Sequence, residues 1–470
     1  MRKMSDDLFM GVDIGTTNLK VGVFDGEGNP VRTSRCGYRR TTLKPRINPL
    51  VWWETFLEMI SEIPDDILRR IRAISVVGHG PTIVPIGRNG EVVGKAITWL
   101  DKSGEELVEK LLKDGLDMMT AISTAKLISL KKELENSNAE KVYILQPHDY
   151  LVFMMTGKIT NSSFNERGYM PWYEEFLEKY ELLDTFELPE FFETTQVIGK
   201  FVNSKRYGFS DEVMVIAGTI DFVSSIVGTG TVKSGLLCDA GGTSQGLTLC
   251  HEKKGECRGL IITPFFLDGL WKISGVINTS GGALEWISRM LKKDVDELVD
   301  GTDPYSPTSI VFLPHLNGER NPDWNPDAKG VFFGLSLDTD EILIVQAMME
   351  GICFAMRDII ERMKECGFNI DHIRVAGKQA FSNKWNILKT NVVGVPIEIP
   401  KVKEADVLGC AIFAMVGLMG DELTNVVERV VRIEERVYPN PEVHDEYSKK
   451  FEIYLEMKKK LRDLFPRLKE

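Results

Sequence analysis

A chain of 470 residues is too long for one hydrophobic core, so two or three large domains are expected. Hydrophobic residues make up 43% and charged residues 27%, an ordinary balance for a soluble globular enzyme. Asp plus Glu total 69 against 57 Lys plus Arg, and the resulting net charge of −12 disfavours a broad nucleic-acid or anionic-membrane surface.

The opening "MRKMSDDLFM" lacks the long apolar core of a signal peptide. The longest apolar run, around Ala411 to Met419, is too short to span a bilayer. A cytoplasmic protein with no membrane or nucleic-acid partner is therefore expected. The 7 cysteines contain no CxxC pair and read as reduced structural residues. Their densest cluster, Cys250-His251 with Cys257, offers metal-ligand chemistry, but a structural role is the stronger reading.

The first pair of elements lies in "FMGVDIGTTNLKVGVFDGEGN", residues 9 to 29, which reads as strand, tight turn, strand. Its turn holds Asp13, Gly15, Thr16 and Thr17, with Lys20 close behind. Two hydroxyls, turn amides and a cation suit an anion, and the carboxylate suits that anion's metal. Phosphate with magnesium is the chemistry indicated. Further on, Ala73 to Val77 reads as a buried strand running into "AISVVGHGPTIVPIG", and Leu127 to Asn136 as a helix.

A second buried strand, Val213 to Ala217, leads to Asp221 in "VIAGTIDFVSSIVGTG", residues 215 to 230. A carboxylate just past a strand end in a glycine-rich setting is placed to act as a general base. It is equally placed to cap a helix, and the two roles are compatible. Next comes "LLCDAGGTSQGLTLC", residues 236 to 250, which echoes the opening hairpin, with Gly242-Thr243-Ser244 answering Gly15-Thr16-Thr17. Two hairpins of one chemistry, each beginning about half the chain, predict two similar domains facing one ligand, 1–231 and 232–470. Thr279 to Leu291 and Ile342 to Met363 read as helices. Mixed strands and helices over two domain lengths make an α/β architecture.

No GxxxxGK[ST] or GxGxxG is present, which excludes a Walker loop and leaves a dinucleotide fold unsupported. Gly242-Thr243-Ser244-Gln245-Gly246 satisfies the G-x-S-x-G of a hydrolase nucleophile elbow, which needs a helix after the serine. The following "LTLC" is strand-like, yet His315, His372 and His444 lie downstream, so a serine hydrolase using Ser244 stays as a distant alternative. Ser123-x-x-Lys126 matches a β-lactamase fragment without its K-T-G companion.

Together these segments resemble the FGGY carbohydrate kinases, the sugar and polyol kinases of the actin-like ATPase superfamily, over essentially the whole chain. "GVDIGTTNLKVGVFD" is similar to the family's first phosphate motif, "GGTS" to its second, and "AGTIDFVSSIVGTG" to the segment bearing its catalytic aspartate. "STAKLISLKK", residues 123 to 132, resembles the first family signature, with Ser129 where tryptophan is usual. "HDYLVFMMTGKITNSS", "NTSGGALEW", "FLPHLNGERNPDWNPDAKGVFFGLS", "MEGICFAMRD" and "VYPNPEVHDEYSKKFEIYLE" follow in the family's order.

The resemblance implies two actin-like (ribonuclease H-like) domains with an ATP and sugar cleft between them. It implies phosphoryl transfer from ATP with Mg2+ to a hydroxyl of a small sugar. Asp221 maps to the general base, and Asp13, with Asp221, to the metal, Asp13 holding it through water. Gly15, Thr16, Thr17 and Lys20 map to one side of the phosphates, and Gly242, Thr243 and Ser244 to the other. Gly377, Lys378, Ser382 and Asn383 map to the nucleotide end, and His79, Gly80, Trp99, Asp101, Asp221 and Phe222 to the sugar.

The departures lie at the two ends. "VAGKQAFSNKW", residues 375 to 385, keeps Gly377 but has Lys378 and Gln379 where glycine or a small residue is usual. Gly80-Pro81 replaces the Arg-Glu of glycerol kinases and the Met-His of xylulose kinases, and Ser103 replaces the arginine usual after "ITWLDK". The general pattern is closest to xylulose-kinase-like members, and by the breadth of the family a ketose such as a ketopentose, or a related open-chain sugar, is the expected substrate. A non-catalytic relative that binds sugar or nucleotide as a sensor is the alternative. Related kinases are commonly homodimers, which leaves a homodimer open here.

Overall fold

The computed structural model describes residues 6–38, 44–116, 118–135, 141–162, 174–265, 267 and 269–469. The N-terminal expectation at residues 1–5, the last residue of the helix expected to Asn136, and Ser163 of the "TNSS" segment lie outside these. The chain divides into two compact units, Met1–Gly228 with Asp406–Val430, and Thr229–Ala405 with Val431–Glu470.

In the first unit a six-stranded sheet runs in the order Val197–Lys200, Met214–Ile216, Ile71–Gly78, Leu8–Ile14, Asn18–Asp25, Pro30–Gly37. Leu8–Ile14 is buried throughout, as its unbroken apolar run demands of a central strand. It pairs antiparallel with Asn18–Asp25, Asp13 opposite Lys20, and parallel with Ile71–Gly78. Met214–Ile216 lies parallel to Ile71–Gly78 on the far side. The core beneath is dense with Trp52, Trp53, Phe56 and the aliphatic side chains of the strands. The helix Ala405–Met419 seats closely on the sheet: a Cβ on Gly11 would lie 2.2 Å from the Val407 carbonyl oxygen. Only a residue without a side chain permits that approach.

The second unit repeats the plan. Its seven-stranded sheet runs Ile261–Pro264, Trp271–Ile277, Gln245–His251, Leu236–Gly241, His372–Gly377, Ile397–Pro400, Ile433–Val437. Leu236–Gly241 is antiparallel to Gln245–His251 and parallel to His372–Gly377, matching the first unit's hairpin and its parallel neighbour. The internal echo read from the sequence is thus an echo of topology. The helix expected at 342–363 is Glu341–Glu365, begun by the Asp340 carboxylate accepting the Leu343 amide, and the one expected at 279–291 is Gly281–Leu291.

Two expectations differ from what is found. The division expected at residue 231 misses the return of Asp406–Val430 to the first unit, a long-range pairing of helix with sheet that no local pattern reveals. The cysteines are not all reduced: Cys257 and Cys366 form a disulfide. Cys250 Sγ donates to the Thr231 carbonyl and His251 Nε2 is paired with Asn369 Oδ1, so Cys250, His251 and Cys257 do not form a metal set. Among the described residues, three acidic ligand atoms converge within 4.8 Å only at Glu319, Asp323 and Asp358. That cluster already encloses a cation, Lys458 Nζ, at 2.5, 2.9 and 2.5 Å. No helix among the described residues is long and apolar enough to cross a membrane.

Candidate active site

In the first unit three adjacent parallel strands end side by side, and each leads to one residue expected at the site. Leu8–Ile14 ends at Asp13, Ile71–Gly78 at His79, and Met214–Ile216 leads to Asp221 at the start of the helix Asp221–Gly228. The His79 amide donates to the Ile14 carbonyl and the Gly78 amide to the Thr219 carbonyl, which ties the three ends together. Carboxyl ends of parallel strands are where open α/β sheets bind ligands.

Asp13 is only 2% exposed and its Oδ1 has no hydrogen-bond partner among the described residues. Lys20 Nζ lies 3.2 Å from its Oδ2 and also contacts the carboxylate of Asp406, in the first turn of the helix Ala405–Met419. Burial pushes the Asp13 carboxyl up to about 7, against the pull of Lys20 and with repulsion from Asp406 and Asp221. Burial likewise raises Asp221 to about 6, opposed by the Phe222 amide, which donates to Asp221 Oδ1 at 2.7 Å, and by Lys20. Burial works against the charge of Lys20, yet the two carboxylates outweigh it and hold its pKa above the ordinary value. Asp221 thus stands at the start of its helix and within electrostatic reach of Lys20 and Asp406.

Three carboxylates around one ammonium make a site short of positive charge. An orphaned, buried carboxylate oxygen and hard oxygen donors fit a divalent magnesium ion.

The turn itself is braced from outside. Tyr38 Oη donates to the Gly15 carbonyl at 2.7 Å, Trp99 Nε1 lies 3.4 Å from Thr16 Oγ1, and Asn18 Nδ2 donates to Thr17 Oγ1 at 3.1 Å. Trp99 is 46% exposed. His79 is buried with Gly80 beside it, its Nδ1 2.9 Å from Thr82 Oγ1 and its ring edge-on to Trp52. Burial, and then the charge of His148, lower its pKa to about 4, so the imidazole is neutral. Phe222 follows Asp221 on the helix and is partly buried.

Asp101, expected at the sugar, has both oxygens engaged elsewhere. Its Oδ1 accepts from the Ser103 amide and hydroxyl, and its Oδ2 accepts Arg46 Nε at 2.9 Å. Ser103 stands where the family's arginine was expected, and the guanidinium that reaches Asp101 comes instead from Arg46, which also donates to Ser103 Oγ and Glu133. Lys126 of the Ser-x-x-Lys fragment is buried and donates to the Thr98 carbonyl, next to Trp99, so its role is to hold this loop.

In the second unit Gly242, Thr243 and Ser244 form an exposed turn between Leu236–Gly241 and Gln245–His251. The amides of Ser280 and Gly282 donate to the Thr243 carbonyl, and that of Gly281 to the Gly242 carbonyl. A strand follows Ser244, and no histidine among the described residues is hydrogen-bonded to it, so the elbow geometry of a serine hydrolase is not met. Gly377 sits at φ 78°, its Cα against the Gly241 carbonyl, where a Cβ would come within 2.3 Å. Lys378 is exposed while Gln379 turns inward. Ser382 Oγ caps the helix Asn383–Val393 by accepting the Trp385 amide, and Asn383 is exposed at its start.

Both units match family models: the FGGY family of carbohydrate kinases, N-terminal domain, over residues 8–228, and its C-terminal domain over residues 240–418. The chain belongs to the FGGY family of carbohydrate kinases. It is 24% identical to a xylulose kinase of Staphylococcus xylosus over 95% of this chain and 98% of that one. It is 24% identical to a gluconokinase of Bacillus subtilis over 98% and 97% of the two chains. The crystal structure of a xyloylose kinase from Brucella ovis superposes with a TM-score of 0.85 at 22% identity, covering 97% of this chain and all of that one. The FGGY chain therefore has the two-domain fold of the actin-like ATPase type, and it is a sugar kinase, a phosphotransferase with an alcohol group as acceptor.

Sequence reasoning missed Asp406, Tyr38 and Arg46. Asp406 heads the helix whose apolar run, around Ala411 to Met419, reads only as a segment too short to span a bilayer. A charge at the head of an apolar helix is the signal that was available.

Proposed function

We propose that this FGGY kinase transfers the γ-phosphoryl group of ATP to a hydroxyl of a small sugar, with Asp221 as general base and a ketose such as a ketopentose as acceptor. The observation that supports this reading most is the meeting of Asp13, Asp221 and Lys20 in one electrostatically linked group at the ends of adjacent strands. Phosphoryl transfer asks for positioning and charge stabilisation, and this group supplies both signs of charge. A magnesium ion, held by Asp13 and Asp221 through water with Asp406 adding its charge, would offset the negative charge of the phosphates.

Asp221 takes the proton of the attacking hydroxyl. Raised to about 6, its carboxylate is ionised at neutral pH yet more basic than an ordinary aspartate, which suits a general base. Thr16, Thr17, the amide of Gly15 and Lys20 face the phosphates from the first turn. Gly242, Thr243 and Ser244 carry the matching groups in the second unit, and Gly377, Lys378, Ser382 and Asn383 lie along the nucleotide. His79, Gly80, Trp99 and Phe222 contact the sugar, Asp101 acting through the loop it holds. A neutral His79 recognises sugar oxygens by hydrogen bonding.

Release of ADP from Mg-ATP across a panel of ketoses, polyols and sugar acids tests the reading. Turnover with a ketose that is lost in Asp221→Asn supports it, and turnover with sugar acids alone overturns the ketose assignment.

A further inference from the structure

The second unit contains a hydrogen-bonded chain of buried side chains that the reaction itself does not use. Lys389 Nζ lies 2.5 Å from Asp239 Oδ2, Gln245 Nε2 donates to Asp239 Oδ1 at 2.7 Å, and Ser280 Oγ donates to Gln245 Oε1 at 2.8 Å. Gln379 Nε2 closes the series by donating to Ser280 Oγ at 2.7 Å. Asp239, Gln245 and Ser280 are fully buried and Lys389 and Gln379 nearly so.

This series is wrapped around the Gly242-Thr243-Ser244 turn. Asp239 and Gln245 lie on the two strands that the turn joins. Ser280 grips the turn directly, its amide donating to the Thr243 carbonyl at 2.9 Å. Gln379 covers the turn's entrance: a Cβ on Gly241 would meet its Oε1 at 2.5 Å. The backbone of the turn is thus fixed through Ser280 on one side and through the Gly241–Gln379 contact on another. Each member is hydrogen-bonded to the next, Gln379 through its Nε2 while its Oε1 has no hydrogen-bond partner among the described residues, and such linked buried groups restrain what they surround.

We infer that Gln379 and Ser280 are positioning residues that hold the Gly242-Thr243-Ser244 turn in the conformation that receives nucleotide phosphate. The inference rests on the reading of that turn as a phosphate grip. It gives Gln379, which stands where a glycine or small residue was expected, a role under the turn and not at the adenosine. Neither residue touches the reacting atoms.

The test uses Gln379→Met, which keeps the volume over Gly241 but removes the donor, together with Ser280→Ala and the double variant. KM for Mg-ATP and the Kd for ADP by calorimetry should rise about 3- to 10-fold in each single variant, the scale of one lost buried hydrogen bond. The sugar KM should stay unchanged and kcat should fall less. The double variant should be less than additive, because both changes cut one connection. Loss of activity in proportion to lost folded protein, with KM for Mg-ATP and Kd for ADP unchanged, overturns the inference and leaves a purely structural role. If the wild type phosphorylates no sugar but binds ADP, the functional reading fails alone and the ADP titration of the variants still decides this one. If the wild type binds no ADP, both fail.

Discussion

Lys20 reaches the carboxylate of Asp406, 386 residues further along the chain, while staying 3.2 Å from Asp13. One ammonium therefore serves two carboxylates, and Asp406 sets how firmly Lys20 leans on Asp13. Asp406→Asn removes one negative charge from the site proposed to hold magnesium and leaves Lys20 to Asp13 alone. The Mg2+ concentration for half-maximal activity at saturating ATP should rise on the order of tenfold, the scale of one nearby charge in a partly buried site. An unchanged magnesium curve would separate Asp406 from the metal.

Asp221→Asn should lower the rate by about 10²–10⁴-fold, the scale of a lost general base. The folded-state pKa of Asp221 is raised from 3.8 to about 6. Its contribution to stability is therefore fully present below about pH 3.8 and lost as pH rises through 6. The Asn variant escapes that loss. Its thermal midpoint should exceed that of the wild type above pH 6, and the gap should close toward pH 4. On the activity side, wild-type turnover should fall as pH drops below about 6.

The helix bearing Asp406 crosses the helix bearing Asp221 at Gly409, where a Cβ would lie 1.9 Å from the Ser224 carbonyl oxygen and 2.9 Å from the Gly228 nitrogen. Gly409→Ala has to push these helices apart at the cost of about 1–3 kcal/mol, as overpacking does. Denaturant midpoints should fall accordingly, and kcat should fall with them because the carboxylates move with their helices.

The disulfide between Cys257 and Cys366 ties a loop to the end of the helix Glu341–Glu365 across 109 residues. Closing a loop of that size in the unfolded chain is worth up to about 4–5 kcal/mol. A thermal melt with reductant should fall below one without, and Cys366→Ser should abolish the difference.

Lys458→Met leaves Glu319, Asp323 and Asp358 facing one another without their cation. Removing one partner from a partly buried ionic cluster, in which Arg362 still lies 3.9 Å from Asp323, costs up to about 3 kcal/mol. Burial already raises Glu319 to about 7 even against the pull of Lys458. The variant should therefore be weakest at alkaline pH and recover part of its stability as pH falls and the carboxyls take up protons.

The parts of this molecule that could be read from its residues are those written in contiguous chain. The two hairpins, the strand before Asp221 and the long helix at 341–365 are local patterns, and the repeat of Gly15-Thr16-Thr17 in Gly242-Thr243-Ser244 announced two units of one topology. What escaped depends on tertiary contact. Arg46 sits on a two-residue strand and gains meaning only through Asp101 and Glu133. Gln379 reads in sequence only as a departure from a glycine-rich turn, because its inward direction is set by Ser280, 99 positions away in the chain. Asp101, a persuasive ligand on paper, is occupied by a partner 55 positions before it.

The return of Asp406–Val430 to the first unit bears on how the protein is born. When the ribosome has made residue 228, the sheet of that unit still lacks the helix that covers Gly11. Roughly 200 more residues must emerge before it arrives, an interval on the order of 10–40 s at about 5–20 residues per second. Throughout that wait the nascent chain carries Asp13, Lys20 and Asp221 with an open sheet face beside them. A message truncated after the first family segment yields a fragment that cannot close, so synthesis of the second half is a precondition for finishing the first.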